Sequence, residues 1–340
     1  MEHVAIDLGG RESQICVRAS DGMIVEERRA RTAALGRYLG SRPHSRVILE
    51  TCSESFHVAD QARALGHEVR VVPATLVRSL GVGSRGVKND RKDARVLSEV
   101  SCRIELPSVH IPSEKARELK SLCGMRDGLI RARTLLINTV RGWLRGRARR
   151  IRSGVTKTFA LRVRRHFGDN AIELPKFVER QLISIEAITE QILLANQELE
   201  TQAAGSELCQ RLMTVPGVGP VTAVRFVAVV DDARRFASVH DLQSYLGLVP
   251  GERSSSDRKH RTSITKAGPA ALRWSLVQAA WAARRCRRVD PMVHWSLRVE
   301  SRRGKQIAVV ALARKIAGVL FAVWRDGTVY ESARMLRRAR

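Results

Sequence analysis

The sequence lacks the cysteine and histidine patterns of zinc sites and disulfide frameworks. Its six cysteines form no CxxC pair, and no His-x-x-x-His pair accompanies them. Reduced, mostly buried thiols in a cytosolic protein are therefore expected. No run of eighteen apolar residues occurs, since Arg314 and Lys315 interrupt the nearest candidate at 307–324. The first residues predict a strand and not a signal peptide, so the expected location is cytoplasmic, with no membrane partner.

Acidic residues are scarce relative to basic ones. The 340 residues include 34 Asp and Glu against 60 Lys and Arg, which gives a net charge of +26 and a pI near 11.2. Such an excess is hard to reconcile with a small-molecule enzyme and predicts a polyanionic partner, namely nucleic acid. Residues 251–340 carry +15 (21 basic, 6 acidic) and residues 113–153 carry +9 (12 basic, 3 acidic). The first 110 residues are closer to neutral, as a fold that gathers carboxylates requires.

The N-terminal third has the pattern of a mixed α/β sheet. An Asp21-Gly22 turn joins two apolar strands and predicts a hairpin. Strands alternate with amphipathic helices after that hairpin, so the later strands are expected to be parallel. The predicted strands cover 3–8, 13–18, 23–27, 46–50 and 68–72, and the predicted helices cover 32–39 and 56–65.

Four carboxylates follow this pattern in a suggestive order. Asp7 and Glu50 end two apolar strands, and Asp90 and Asp93 share one face of a predicted helix. Open α/β sheets place their sites at the carboxyl ends of strands. The layout suits two divalent ions that activate a nucleophile and stabilise a leaving oxygen in phosphoryl transfer. The alternative for Asp90 and Asp93 is a solvated helix with ordinary surface ion pairs.

The middle of the chain predicts two long amphipathic helices. Leu122, Leu129, Leu136 and Trp143 recur every seven residues, with Met125 and Ala132 between them, and 185–199 has a three-four apolar spacing. An antiparallel hairpin within the chain and an intermolecular coiled coil are both open. The arginine-rich segment 141–152 between them favours a phosphate contact over a solvated loop.

Two later segments indicate nucleic-acid contacts. Pro216-Gly217-Val218-Gly219 between helical patterns is typical of a helix-hairpin-helix, in which Gly217 and Gly219 let the backbone approach a DNA phosphate. A tight packing turn is the alternative. Serines 254–256 follow in what is expected to be a flexible polar loop, where no Ser-His-Asp order stands out; His260 and Lys266 are candidate helpers. The basic residues expected to hold a phosphate there are Arg253, Arg258, Lys259, Arg261 and Lys266.

In combination these motifs resemble the DEDD transposases of insertion-sequence family 110 and the related Piv/MooV-like invertases. The resemblance covers the four acids, the Pro-Gly-Val-Gly turn, Gly247-Leu-Val-Pro and Thr265-Lys-Ala-Gly. It implies a RuvC-like (RNase H fold) α/β domain over 1–110 and a coiled-coil helical region over 111–206. A mainly helical C-terminal transposase domain with the helix-hairpin-helix and a serine loop is implied over 207–340.

The resemblance also implies the chemistry and the partners. Asp7, Glu50, Asp90 and Asp93 would bind Mg²⁺, and Ser255, five residues beyond Pro250, would form a covalent 5′-phosphoserine link with DNA. Ser254 and Ser256 stay open as the nucleophile because the family usually has glycine after the serine. The implied partners are double-stranded donor and target DNA, a bridge RNA and further copies of the chain in a homodimer or tetramer, in the bacterial nucleoid.

Three other interpretations compete. The segment Ala5–Gly10 resembles the first phosphate loop of actin-like sugar kinases, but the second phosphate motif and the adenosine motif of that fold are missing. A Holliday-junction resolvase or site-specific invertase would need only the acids and metal-activated water, which leaves the helix-hairpin-helix and the serine loop superfluous. A non-catalytic DNA-binding protein leaves the ordered acids unexplained.

Overall fold

The computed structural model describes residues 1–79, 90–170, 172–255, 258–286 and 290–332. Within these ranges the side chains at 78–79, 90–92, 253–255 and 258–261 lie outside the description. The chain divides into two compact units, 1–112 and 113–340. The boundary between them falls two residues beyond the predicted one. The further division at residue 206 stays a prediction.

The N-terminal unit is a five-stranded mixed sheet with helices on both faces. The strand order is β3-β2-β1-β4-β5, in which β1, β4 and β5 are parallel and β2 and β3 are antiparallel, as predicted. The helix expected from residue 32 begins three residues later, after a 3₁₀ turn. The elements are β1 Glu2–Asp7, β2 Glu12–Arg18, β3 Ile24–Arg31, α1 Leu35–Gly40, β4 Ser45–Glu50, α2 Ser55–Ala64, β5 Glu68–Val72, α3 Ala74–Ser79 and α4 Asp90–Arg103.

The two faces of this sheet bury different helices. Side chains alternate along a strand, so Ile6 and Leu49 enter one core with α1 and α2, whereas Ala5 and Ile48 enter another with Leu97 of α4. Most of the inward-pointing side chains on both faces are fully buried. Since both faces are covered, the parallel strands read as nearly continuous apolar runs that end in carboxylates.

In its described residues the C-terminal unit is helical apart from one two-stranded sheet. Its first long helix, α5, packs antiparallel to α7 within the chain. The N-terminal part of α5 meets the C-terminal part of α7 in one core, and their other ends meet in a second core. The elements are α5 Glu114–Arg145, α6 Phe159–Asp169, α7 Lys176–Ala204, α8 Glu207–Met213, α9 Pro220–Val230, α10 Val239–Tyr245, β6 Pro250–Ser255, β7 Arg258–Ile264, α11 Ala270–Cys286, α12 Pro291–Arg303 and α13 Lys305–Asp326.

The buried stripe of α5 differs from the predicted heptad by one residue. Cys123 and Leu144 are buried, whereas Leu122 and Trp143 are only half-buried, and Met125 is 72% exposed. The reason is that α5 packs against α9 as well as α7, so its contact stripe is wider than a coiled-coil seam. The intramolecular hairpin is therefore present, and an intermolecular coiled coil stays a prediction.

The long apolar helix α13 lies in the core of the C-terminal unit. By length and composition alone α13 qualifies as a membrane span. Its residues Leu312, Ile316, Leu320 and Phe321 are fully buried and share one core with α8, α9 and α11. Arg314 donates to the side chain of Gln243 on α10 at 2.7 Å, which ties the helix to its neighbour. Burial against other helices accounts for the hydropathy of α13.

Candidate active site and nucleic-acid interface

Asp7 and Glu50 lie side by side at the carboxyl edge of the sheet. Strands β1 and β4 are parallel, with Ile6 opposite Leu49, so the next register positions are Asp7 and Glu50. Neighbouring strands are about 4.8 Å apart. Both acids point to the face of Ala5 and α4, because side chains two residues apart share a face. Each acid is half-buried.

Helix α4 places Asp93 level with Asp7. The hydroxyl of Ser101 lies 2.8 Å from Nδ1 of His3, at the start of β1. Eight residues of helix from Ser101 back to Asp93 span about 12 Å, and four residues of strand from His3 to Asp7 span about 13 Å. Asp93 and Leu97 are one turn apart on the same face, and Leu97 packs on the sheet. Asp93 is only 7% exposed, so it faces the sheet and not solvent.

The direction of α4 is set by contacts along β2. The hydroxyl of Ser98 lies 3.2 Å from Sγ of Cys16, and Cys102 lies 3.7 Å from the carbonyl of Ala19. The guanidinium of Arg95 donates to Glu27 on β3 at 2.6 Å. The helix therefore runs parallel to β2 and antiparallel to β1, which brings its N-terminal turn to the end of β1.

The loop after Asp7 is held tightly. A Cβ on Gly9 would lie 2.4 Å from the carbonyl oxygen of Glu12, so only glycine fits there. The hydroxyl of Thr32 donates to the carbonyl of Gly9 at 2.6 Å. The Thr32 N–H donates to the carbonyl of Arg11 at 2.9 Å. This turn fixes the end of β1 and with it the backbone of Asp7.

The fourth acid, Asp90, is the first residue of α4, and its side chain is outside the described part. Among the described side chains, no group of three or more His, Cys, Asp or Glu is close enough together to hold a metal ion. The donor set nevertheless fits a hard cation, because carboxylate oxygens at the end of a sheet are the ligands that Mg²⁺ prefers. The four-acid Mg²⁺ site stays a prediction.

Sequence reasoning missed the residues that position α4. His3, Ser98 and Ser101 are buried, and they join the helix to the sheet through hydrogen bonds. The available signal was the pair of serines three residues apart on the apolar face of a helix that also carries two acids. Because buried hydroxyls need hydrogen-bond partners, Ser98 and Ser101 fix one position of α4 on the sheet.

The serine segment is a β-hairpin and not the expected loop. Strands β6 and β7 are antiparallel, with Arg253 opposite His260, Ser254 opposite Lys259 and Ser255 opposite Arg258. Ser255 is the last residue of β6, and Ser256 lies outside the described residues. The expectation of a flexible loop is therefore wrong for the described backbone: a ladder of backbone hydrogen bonds holds a polar sequence that has no apolar alternation to announce a strand.

The base of this hairpin is anchored in the helical core. Gly247 has φ of +65°, and a Cβ there would lie 2.3 Å from the carbonyl of Ala267. Lys266, exposed and with φ of +57°, donates its backbone N–H to the carbonyl of Gly247 at 3.2 Å. Arg273 donates to the carbonyls of Leu246 (2.9 Å) and Ala267 (2.7 Å). The anchoring holds the hairpin base in place, so Ser255 stands at the end of a supported ladder.

The Pro-Gly-Val-Gly turn joins α8 to α9, and its two glycines differ in environment. Gly217 has φ of +83°, and a Cβ there would lie 2.1 Å from the carbonyl of Ala279 on α11. Gly217 and its neighbours also line a pocket with Asp290 and Tyr330, and a carboxylate there disfavours a phosphate. Gly219 has open space around it. Close packing accounts for Gly217, and a DNA contact at either glycine stays a prediction.

Comparison with known proteins identifies the family. Residues 4–147 match a DEDD family model of IS110 described as "Transposase", and residues 209–294 match the model "Transposase IS116/IS110/IS902 family". The "Putative transposase y4qE" of Sinorhizobium fredii is 32% identical over 294 residues, which cover 78% of this chain and 71% of that protein. The chain belongs to the IS116/IS110/IS902 family of transposases.

Other relatives resemble this transposase over nearly its whole length. The "Probable family 20 transposase" of Pseudomonas aeruginosa is 28% identical over 341 residues, covering 97% of this chain and 98% of that protein. The "Transposase for insertion sequence element IS1328" of Yersinia enterocolitica is 27% identical over 335 residues, which cover 96% of this chain and 98% of that protein. The expected enzyme class is thereby confirmed: this transposase acts on DNA in the transposition of an insertion sequence.

Proposed function

We propose that this transposase cuts and rejoins DNA with the carboxylates of Asp7, Glu50, Asp90 and Asp93 and the hydroxyl of Ser255, guided by a bridge RNA. The observation that carries the proposal is the convergence of β1, β4 and α4, which brings Asp7, Glu50 and Asp93 to one end of the sheet. A cation bound near these carboxylates would offset the repulsion between their like charges. Mg²⁺, when bound, supplies positive charge that activates a nucleophile and stabilises a leaving oxygen.

The serine supplies the covalent step. Its hydroxyl oxygen attacks the phosphorus of the scissile phosphodiester and gives its proton to a base. The bond from phosphorus to the 3′ oxygen breaks, so a free 3′ hydroxyl leaves and the 5′ phosphate stays on the serine. A 3′ hydroxyl from another strand then reverses the step and releases the serine. Arg258 is paired with Ser255 in the backbone register of the hairpin, so a cationic residue stands opposite the serine in the ladder, which supports a cationic environment for the phosphate.

The partners follow from the charge distribution. Residues 251–340 carry +15 and residues 113–153 carry +9, and Lys and Arg side chains supply the phosphate contacts of nucleic-acid binding. A bridge RNA that pairs with donor and target DNA would engage these basic segments together with the two duplexes. Each active site would draw its acids and its serine from different copies of the chain in a homodimer or tetramer.

Two variants and a matched control test the chemistry. Ser255→Ala is expected to abolish recombination and the covalent protein–DNA adduct seen on a denaturing gel, while DNA binding persists. Ser254→Ala, one position earlier in the same strand, should keep both recombination and the adduct. If the adduct instead disappears only with Ser254→Ala, the nucleophile moves by one residue. If it persists in both variants and in Ser256→Ala, the serine mechanism is wrong.

The same assay separates transposase from resolvase chemistry. A resolvase that uses metal-activated water loses cleavage with Asp93→Asn and keeps it with Ser255→Ala. The proposed enzyme loses recombination with either variant. The guide is tested by adding RNA transcribed from the DNA flanking the gene and then changing its pairing loops. Recombination that follows the changed loops supports a bridge RNA, and full activity without any RNA contradicts it.

A further inference from the structure

A cationic pocket lies at the C-terminal end of α5, apart from the serine hairpin. Residues 141–165 include ten Lys and Arg and no Asp or Glu. Part of this segment encloses a pocket of about 320 Å³. Its lining, which we call the arginine pocket, consists of Arg141, Leu144, Arg145, Arg149, Arg150 and Ile151.

The backbone folds back on itself to build this pocket. After α5 ends at Arg145, Ala148 adopts φ of +55°, and the N–H of Arg149 donates to the carbonyl of Leu144 at 2.9 Å. This is the hydrogen-bonding pattern of a Schellman-type helix end. It returns Arg149 to the end of the helix, where Arg141 and Arg145 stand one turn apart on one face.

Aromatic rings hold two of these guanidinium groups in place. Arg141 lies over the ring of Phe159 at 5.4 Å, and Arg149 lies over the ring of Phe167 at 5.1 Å. Both rings are almost fully buried in the core between α5, α6 and α7, so they are fixed platforms. A stacked guanidinium keeps its N–H donors in the plane of the group, where they remain available to an oxyanion.

The pocket charge is not compensated by neighbouring acids. In the described part of the chain, Arg141, Arg145, Arg149 and Arg150 have no carboxylate within 4.0 Å. Arg164 in the same segment is different, because it contacts Glu179 at 2.7 Å and Glu186 at 2.6 Å. The end of α5 offers only about half a negative charge from its dipole. Four guanidinium groups therefore remain for an external anion.

We propose that the arginine pocket binds the phosphodiester backbone of a nucleic acid. Arginine forks match phosphate oxygens and read no base, so the contact gives affinity and position without sequence preference. Arg141 is eighteen residues beyond Cys123, about 27 Å along α5 from the core that supports the serine hairpin. The site is thus a separate anchoring point. The proposal deepens the proposed function, on whose nucleic-acid partners it rests, by naming one binding site within the basic segment 113–153, and it does not depend on which serine is the nucleophile.

Paired double variants test the site. Arg145→Ala/Arg150→Ala removes two exposed pocket charges and leaves the stacked arginines. Arg131→Ala/Arg180→Ala removes two exposed charges from α5 and α7 outside the pocket. The probes are a labelled duplex DNA and a duplex RNA of the same sequence, titrated over a range of salt concentrations. The pocket variant should bind at least one probe about tenfold more weakly at low salt, and its salt slope should fall by about 1 to 2.

Each outcome decides the proposal. If the pocket variant loses affinity for DNA alone, for RNA alone or for both, the proposal is supported, and the affected probe identifies the nucleic acid whose backbone the pocket binds. Unchanged affinity and slope for both probes overturn it, as does an equal loss in the control variant, which would show a general charge effect. Circular-dichroism melting establishes that both variants fold. If the alanine pair does not fold, the single variant Arg150→Glu at an exposed position takes its place, with Arg180→Glu as control.

Discussion

Arg225 on α9 donates two hydrogen bonds, each of 2.8 Å, to the two carboxylate oxygens of Asp127 on α5. The Arg225 side chain is 3% exposed and also donates to the hydroxyl of Ser275 on α11 at 2.9 Å. One arginine therefore joins three helices of the C-terminal unit. Its position in an otherwise apolar helix is unusual, because a buried charge is tolerated only when it is paired.

Removal of the carboxylate should be costly. In Asp127→Ala the buried guanidinium of Arg225 loses its counter-ion. We expect the free energy of unfolding to fall by about 3 kcal/mol. This value is at the lower end of the range for breaking a buried ion pair, because the Asp127 side chain is 21% exposed. Urea unfolding followed by circular dichroism measures it. Glu207→Ala, which breaks the exposed pair with Arg211, should cost under about 1 kcal/mol. A similar cost for both variants would contradict the role of Arg225.

The same pair admits a second check. The double variant Asp127→Leu/Arg225→Met replaces both charges with apolar side chains of similar size and leaves no buried charge unpaired. Its stability should lie within about 1 kcal/mol of the natural chain, because apolar replacement of a buried ion pair is often neutral or stabilising. A double variant as unstable as Asp127→Ala would mean that the pair contributes through its geometry and not through charge compensation.

Much of the sheet, and the neighbouring positions of Asp7 and Glu50, could be predicted from the sequence. Apolar strands that end in Asp7 and Glu50 imply parallel neighbours, and the register places those acids next to each other. The position of Asp93 beside the end of β1 could not be predicted, because it depends on how far α4 is shifted along that strand. That position is set by the contact between His3 and Ser101, which are 98 residues apart in the chain. Short-range periodicity contains no information on such a contact.

The C-terminal unit shows a different limit. Its strands β6 and β7 consist largely of polar and basic residues, so neither apolar alternation nor β-propensity marks them. The close contact between Gly247 and Ala267 at the base of the hairpin holds the two strands together. The arginine pocket likewise depends on α6, a helix between the two predicted long helices for which the sequence pattern gave no prediction. Tertiary contacts decided both features.

Metal binding should stabilise the N-terminal unit. If Asp7, Glu50, Asp90 and Asp93 hold Mg²⁺ in the folded state only, saturation at a hundred times Kd adds about 2.7 kcal/mol and raises Tm by several degrees. Differential scanning calorimetry with Mg²⁺ and with EDTA measures the shift. Asp93→Asn should remove most of it. Glu99→Gln, on a more exposed part of the same helix, should keep it. Equal shifts in both variants would argue against Asp93 as a ligand.

The contact between His3 and Ser101 should make stability depend on pH. Burial, with help from the nearby Arg46 guanidinium, lowers the pKa of His3 below its ordinary 6.5. Below pH 6.5 the unfolded chain therefore binds a proton that the folded chain does not. The free energy of unfolding should fall as the pH drops from 6.5 towards the lower folded pKa, and His3→Gln should flatten that decline. Urea midpoints at several pH values test this, and parallel profiles for the two proteins would refute it.

The two glycines of the Pro-Gly-Val-Gly turn should respond differently to alanine. In Gly217→Ala the left-handed backbone alone costs about 1–2 kcal/mol, and the overlap of the new Cβ with the carbonyl of Ala279 adds to that cost. Gly219→Ala meets open space, so we expect a cost under about 1 kcal/mol for the changed N-cap of α9.

This difference makes Gly219→Ala the usable test of a helix-hairpin-helix contact. A folded Gly219→Ala variant that binds duplex DNA several-fold more weakly in fluorescence anisotropy supports backbone approach of DNA at the start of α9. Ser206→Ala, which removes the N-cap hydroxyl of the neighbouring helix α8, is the control for a small loss of helix stability. If Gly219→Ala and Ser206→Ala bind DNA as the natural chain does, the turn serves packing alone, as the contact of Gly217 with α11 already indicates.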